Sequence, residues 1–156
     1  MRRLLIPFGV GLFLLASLPA AAQSKGEVGH PPVVELPSSW RGEWVSDDGE
    51  FRYSFVLSLF QSPQSEAFVE GAFEWTLEEG PGPYQGRLGE TAIEWVTGRP
   101  LGRSRMLILA GYAVSDSTLI AADAYRLVMS GDAIGGSTRG NEGLWLNALA
   151  GVRIRE

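Results

Sequence analysis

Between Phe51 and Phe60 large apolar residues recur at every second position. Phe51, Tyr53, Phe55, Leu57 and Leu59 alternate with Arg52, Ser54 and Ser58. A period of two sends successive side chains to opposite faces, so this run is a β-strand with one buried side. The chain after Trp40 keeps the same habit. Turn residues recur every eight to twelve positions, with β-branched and aromatic runs between them. That spacing belongs to an all-β sandwich or barrel.

Trp40 to Val45 is a first short strand, ended by the hairpin turn Asp47-Asp48-Gly49, where glycine tolerates positive φ. Phe68 to Leu77 places Val69, Gly71, Phe73, Trp75 and Leu77 on one face, with Glu70, Glu74 and Thr76 on the other. Gly80-Pro81-Gly82-Pro83 breaks it, because proline cannot donate to a ladder. Tyr84 to Leu88 and Thr91 to Thr97 read as shorter strands, the second setting Ile93 and Trp95 against Glu94. Met106 to Val114 is apolar on both faces, so a strand there is covered by a core and by something else, such as a second copy of the domain. Leu119 to Met129 has both a cap-like start and an alternating end, and strand is favoured over helix. Ile134 to Thr138 and Gly143 to Val152 form the last pair. These make about eight or nine strands with short connections and no long crossover, and an eight-stranded up-and-down antiparallel meander barrel over residues 40–156 is the simplest architecture, since closure removes both edges.

The residues before the barrel address its location. Arg2 and Arg3 precede an apolar run from Leu4 to Leu18, and Pro19 with Ala20-Ala21-Ala22 reads as a signal-peptidase site. The run is shorter than the roughly 20 apolar residues that span a bilayer. A signal peptide over 1–22 is expected, with export to the periplasm of a Gram-negative-type bacterium or secretion and no stable membrane insertion after cleavage. Residues 23–39 are polar and proline-bearing, the composition of a flexible leader.

Charge narrows the partners. The chain carries 13 basic and 18 acidic residues, and loss of Arg2 and Arg3 takes the net charge from −5 to −7. The arginines from Arg41 to Arg155 are scattered singly, which disfavours nucleic acid and anionic lipid. There is no cysteine and a single histidine, His30, which lies in the leader. Thiolate catalysis, Cys/His zinc sites and histidine-based triads are thereby removed. No serine sits in a Gly-x-Ser-x-Gly elbow. Glu70 with Glu74, and Glu78 with Glu79, read as solvated faces rather than a glycosidase pair. Asp47-Asp48-Gly49-Glu50 lacks the spacing of a calcium loop, and Gly135 to Gly140 lacks the helix and lysine of a phosphate loop. The reading is non-enzymatic, with no metal and no cofactor.

The aromatic set has a functional edge. Trp40, Trp44, Tyr53, Phe55, Phe73, Trp75 and Trp95 come from four of these strands. Small barrels either fill their lumen with such side chains or leave a cavity among them. A cavity needs a few convergent polar groups to orient a ligand. The candidate ligand-binding residues are Trp44, Tyr53, Trp75, Trp95, Asp123, Tyr125 and Asn147.

Gly42-Glu43-Trp44 on a first strand, followed by hairpins, resembles the calycin barrels, the lipocalin and avidin groups. The resemblance implies a tryptophan closing one barrel end under an arginine from a late strand, here Arg139 or Arg153. The late cadence Gly111-Tyr112, Asp123-Ala124-Tyr125-Arg126-Leu127, Gly136-Ser137-Thr138-Arg139 and Gly143-Leu144-Trp145 is similar to a group of exported bacterial β-domains. No run matches the biotin-contacting residues of avidins. Metalloprotease inhibitors of the same barrel type have a similar size and an N-terminal arm, though they carry a disulfide this chain lacks. Two functions follow: a receptor for a small or extended apolar ligand, or a protein-interaction or protease-inhibitor module acting through its surface or its N-terminal arm. Met106–Val114 is the expected surface for a homo-oligomer.

Overall fold

Eight antiparallel strands follow one another around a closed barrel, each paired to the next and the last to the first. The computed structural model describes residues 36–101, 105–140, 145 and 148–155. The strands are β1 (Ser38–Val45), β2 (Arg52–Gln61), β3 (Val69–Glu79), β4 (Thr91–Pro100), β5 (Met106–Val114), β6 (Ala124–Ser130), β7 (Ala133–Arg139) and β8 (Ala148–Arg153). The expected all-β meander barrel is therefore the fold. The segment read as a signal peptide, residues 23–35 of the leader and Asn147 lie outside the described residues. The leader gives up its end to the barrel: Ser38 and Ser39 pair with Leu59 and Ser58, and the two serine hydroxyls at 39 and 58 meet at 3.0 Å.

Closure depends on a close approach of β1 to β8. A Cβ at Gly42 would stand 2.0 Å from the Ala150 carbonyl oxygen, so only glycine lets Gly42 lie opposite Gly151. The interior is mostly apolar, with Glu94 and Thr138 buried among the rings toward one end. Trp40, Leu57, Leu59, Val69, Leu107, Leu127 and Ile134 crowd the end that holds the β2–β3, β4–β5 and β6–β7 connections. Rings dominate the other end, where Phe73 stacks on Trp75 at 4.7 Å and packs against Tyr125 at the same distance.

Three local expectations change. Tyr84 to Leu88 is not a strand: Gly82–Arg87 is a short 3-10 helix, opened by the fixed φ of Pro81 and Pro83 and a bond from Tyr84 N to Pro81 O of 2.7 Å. Leu119 to Met129 becomes strand only from Ala124, because Asp116 holds Leu119 and Ile120 in a turn. The faces of β4 are reversed. Residues opposite one another in an antiparallel pair share a face. Inward Trp75 lies opposite Ala92 and inward Phe73 opposite Glu94, so Ala92, Glu94 and Val96 point in while Ile93 and Trp95 point out. On β5, Leu107 and Leu109 are fully buried in the lumen. The outward apolar set there is Ile108, Ala110 and Tyr112, less continuous than apolarity on both faces implies.

Candidate functional site: an aromatic cavity over a buried carboxylate

Glu94 is the group around which this end of the barrel is arranged. Its side chain is fully buried. Trp75 Nε1 donates to Oε2 at 3.1 Å, the Tyr125 hydroxyl donates to the same oxygen, and the backbone N–H of Asp123 donates to Oε1 at 2.8 Å. Three donors on one carboxylate offset part of the cost of burial. Burial still dominates: it pushes the Glu94 carboxyl up to about 7, against the hydrogen bonds from Tyr125, Asp123 and Trp75, and the Asp123 charge pushes the same way. Burial also raises the Asp123 carboxyl. The Tyr125 phenol lies well above its ordinary value, through burial and then the Glu94 charge.

Above Glu94 a cavity of about 260 Å³ opens at the barrel mouth. Trp44, Phe51, Tyr53, Trp75, Tyr84 and Tyr125 supply its rings, Leu119 to Ala121 its rim, and Glu94 with Asp123 its charged groups. Two of the ring pairs are stacked, Phe51 on Tyr53 at 15° and Trp75 on Tyr125 at 22°, and three are steep. Trp44 meets Tyr53 at 66°, Tyr53 meets Trp75 at 81°, and Phe51 meets Tyr84 at 80°, each with centroids within 6.2 Å. Edge-to-face packing of this kind fixes ring orientation as well as burying area.

Hydrogen bonds hold the walls. Trp44 Nε1 donates to Thr138 Oγ1 at 3.1 Å, tying β1 to β7 across the mouth. The Tyr53 hydroxyl donates to the Leu119 carbonyl at 2.8 Å, which pins the β5–β6 connection over the opening. Burial, with Tyr84 adding and Arg87 opposing, pushes the Tyr53 phenol up to about 12, so it remains a donor. The same connection is braced from outside. Arg87 reaches Asp116 at 2.7 Å and the Thr118 carbonyl at 3.1 Å, while Asp116 accepts from Thr118 N at 2.8 Å. Those bonds, led by Thr118, draw the Asp116 carboxyl down to about 2.

Five residues expected at a site meet here: Trp44, Tyr53, Trp75, Asp123 and Tyr125 all line the cavity. Trp95 does not, because the β4 register turns it outward, 38% exposed. Asn147 lies outside the described residues. Glu94 was missed, since its alternation with Ile93 and Trp95 looks like a solvent-facing acid between two core residues. Phe51 stood in the inward pattern of its strand but Tyr84 was assigned to a strand of its own, and neither was placed at the mouth. The expected arginine contact also moves. Arg153 lies 6.0 Å from the ring of Trp40, at the barrel end opposite the cavity, and Trp44 is held by Thr138 instead.

The fold and site thus define a closed eight-stranded barrel with an aromatic cavity at one mouth. Compared with protein families, with curated proteins and with solved structures, the chain matches none.

Proposed function

We propose that this barrel is an exported, non-enzymatic receptor that takes a small ligand with an apolar body into the cavity at its mouth. The observation that carries the reading is the cavity itself: about 260 Å³ bounded by six rings, with two polar anchors and hydrogen-bonded walls. A cavity of about 150 Å³ suffices for benzene, and drug-sized ligands need roughly 300 Å³ or more. The space here suits one ring with a short substituent better than an extended chain. The closed eight-stranded meander supports kinship with calycin-like barrels.

Titration with 2-phenylethanol, read by tryptophan emission and melting temperature, tests the reading. A ligand that binds only the folded state stabilises it, by about 2.7 kcal/mol at a hundred times its Kd. Ala121→Trp, at the rim, is expected to weaken the response, and deletion of residues 23–35 to leave it unchanged. A response lost on that deletion and kept in Ala121→Trp transfers the function to the N-terminal arm.

A further inference from the structure

The cavity is chemically one-sided. Two carboxylates, Glu94 and Asp123, line it, and no basic residue does among the described residues. Arg87, below the β5–β6 connection, is spent on Glu90, Asp116 and Thr118 outside the mouth. No described donor reaches the Asp123 carboxylate; the residue is held through its backbone, its N–H donating to Glu94 and its carbonyl accepting from Gly111 N at 2.7 Å. Glu94 receives three donors, an arrangement suited to the ionised acid, yet a second acid rather than a counter-ion lies beside it. A buried charge without a partner is costly unless something supplies the opposite charge.

The rings complete the argument. Indole, phenol and phenyl faces attract a cation within about 6 Å of their centroids, by up to about 2 kcal/mol when water is excluded. Six aromatic side chains, some stacked and some edge to face, surround a space the size of one small molecule. The chain's net charge of −5 adds a long-range field of the same sign.

We propose that the ligand of this cavity is a small organic cation, an ammonium-type group on an apolar body, held among the rings with Glu94 and Asp123 as its counter-charges. The inference rests on the receptor reading and adds the charge of the ligand. A neutral ligand leaves the carboxylates uncompensated, and an anion adds a third negative charge.

The test is a matched series on the full-length exported protein at pH 7.5: 2-phenylethylamine, which is protonated, 2-phenylethanol and phenylacetate. The three share a ring and a short tail and differ in charge. The amine is expected to bind at least about tenfold more tightly than the alcohol, with phenylacetate weakest. Asp123→Asn and Glu94→Gln are expected to weaken the amine more than the alcohol, so that the ratio of the two affinities falls toward one. Asp123 is half-buried and its carboxylate accepts no hydrogen bond from a described donor, so Asp123→Asn keeps the test open if Glu94→Gln folds poorly. An alcohol that binds as tightly as the amine overturns the cation inference and leaves the receptor standing. Preferential binding of phenylacetate overturns it as well. Saturation by none of the three removes both.

Discussion

Gly111 lies so close under Glu94 that a Cβ on it would stand 2.0 Å from the carboxylate oxygen Oε1. The late glycine on β5 is the space into which an inward acid on β4 fits. Gly111→Ala is therefore expected to cost about 1–3 kcal/mol, the range of forced overpacking. Glu94→Ala removes the obstructing carboxylate. In a double-mutant cycle the two changes are expected to be less than additive. Full additivity in urea denaturation would show that the two side chains do not compete for the space.

Glu94 gives stability a pH dependence of definite sign. Its carboxyl is neutral in both states below about pH 4.5. Between 4.5 and about 7 the unfolded chain releases the proton and the barrel retains it, so stability falls as pH rises. The decline is on the order of 3 kcal/mol across that window. Asp123, also raised by burial, adds in the same sense. Asp116 acts oppositely and lower: its stabilisation is present above about 3.8 and is lost as pH falls through about 2. Glu94→Gln is expected to flatten most of the decline between pH 4.5 and 7, measured by denaturant midpoints at fixed salt.

The barrel was legible because β2 and β3 alternate cleanly over ten and eleven residues. Their inward sets, Tyr53 to Leu59 and Val69 to Leu77, are the buried ones. The cavity's aromatic half was legible for the same reason. Its carboxylate was not. In β4 both alternating sets, Ala92-Glu94-Val96 and Ile93-Trp95-Thr97, pass for a core face, and the larger side chains favour the wrong one. The choice is made by pairing with β3, which puts Glu94 opposite Phe73, and by donors from β3, β6 and the residue before β6 that a one-dimensional pattern does not display. Tyr84 was misread because a proline-rich connector resembles the end of one strand and the start of another, whereas Pro81 and Pro83 prearrange a tight helical turn.

The two faces of β3 differ sharply in what they tolerate. Trp75 is buried among Phe55, Phe73 and Tyr125 and donates to Glu94, so Trp75→Ala is expected to cost about 3–5 kcal/mol. Glu74, next in sequence and exposed, should stay within about ±0.5 kcal/mol on change to Ala. Equal losses by thermal denaturation would contradict the face assignment.

Arg87 braces the connection above the cavity rather than the barrel. Its partner Glu90 is exposed and Asp116 partly so, and Arg87→Ala is expected to change global stability by no more than about 1 kcal/mol. Amide exchange at Thr118 to Ile120 should nonetheless accelerate, because their turn loses its outside support while the core strands keep theirs. Uniform acceleration through β2 and β3 would make Arg87 a determinant of the whole fold.

The most direct measurement follows the indole N–H resonances of the five tryptophans during titration with 2-phenylethanol, a neutral probe that tests the cavity apart from the charge of its ligand. Trp44 and Trp75 line the cavity, Trp40 is buried at the opposite end, Trp95 faces outward, and Trp145 lies under Arg126. The account predicts saturable shifts of the Trp44 and Trp75 signals, with the other three nearly still. Saturable shifts confined to Trp95 or Trp145, or no saturable shift at any of the five, would contradict it.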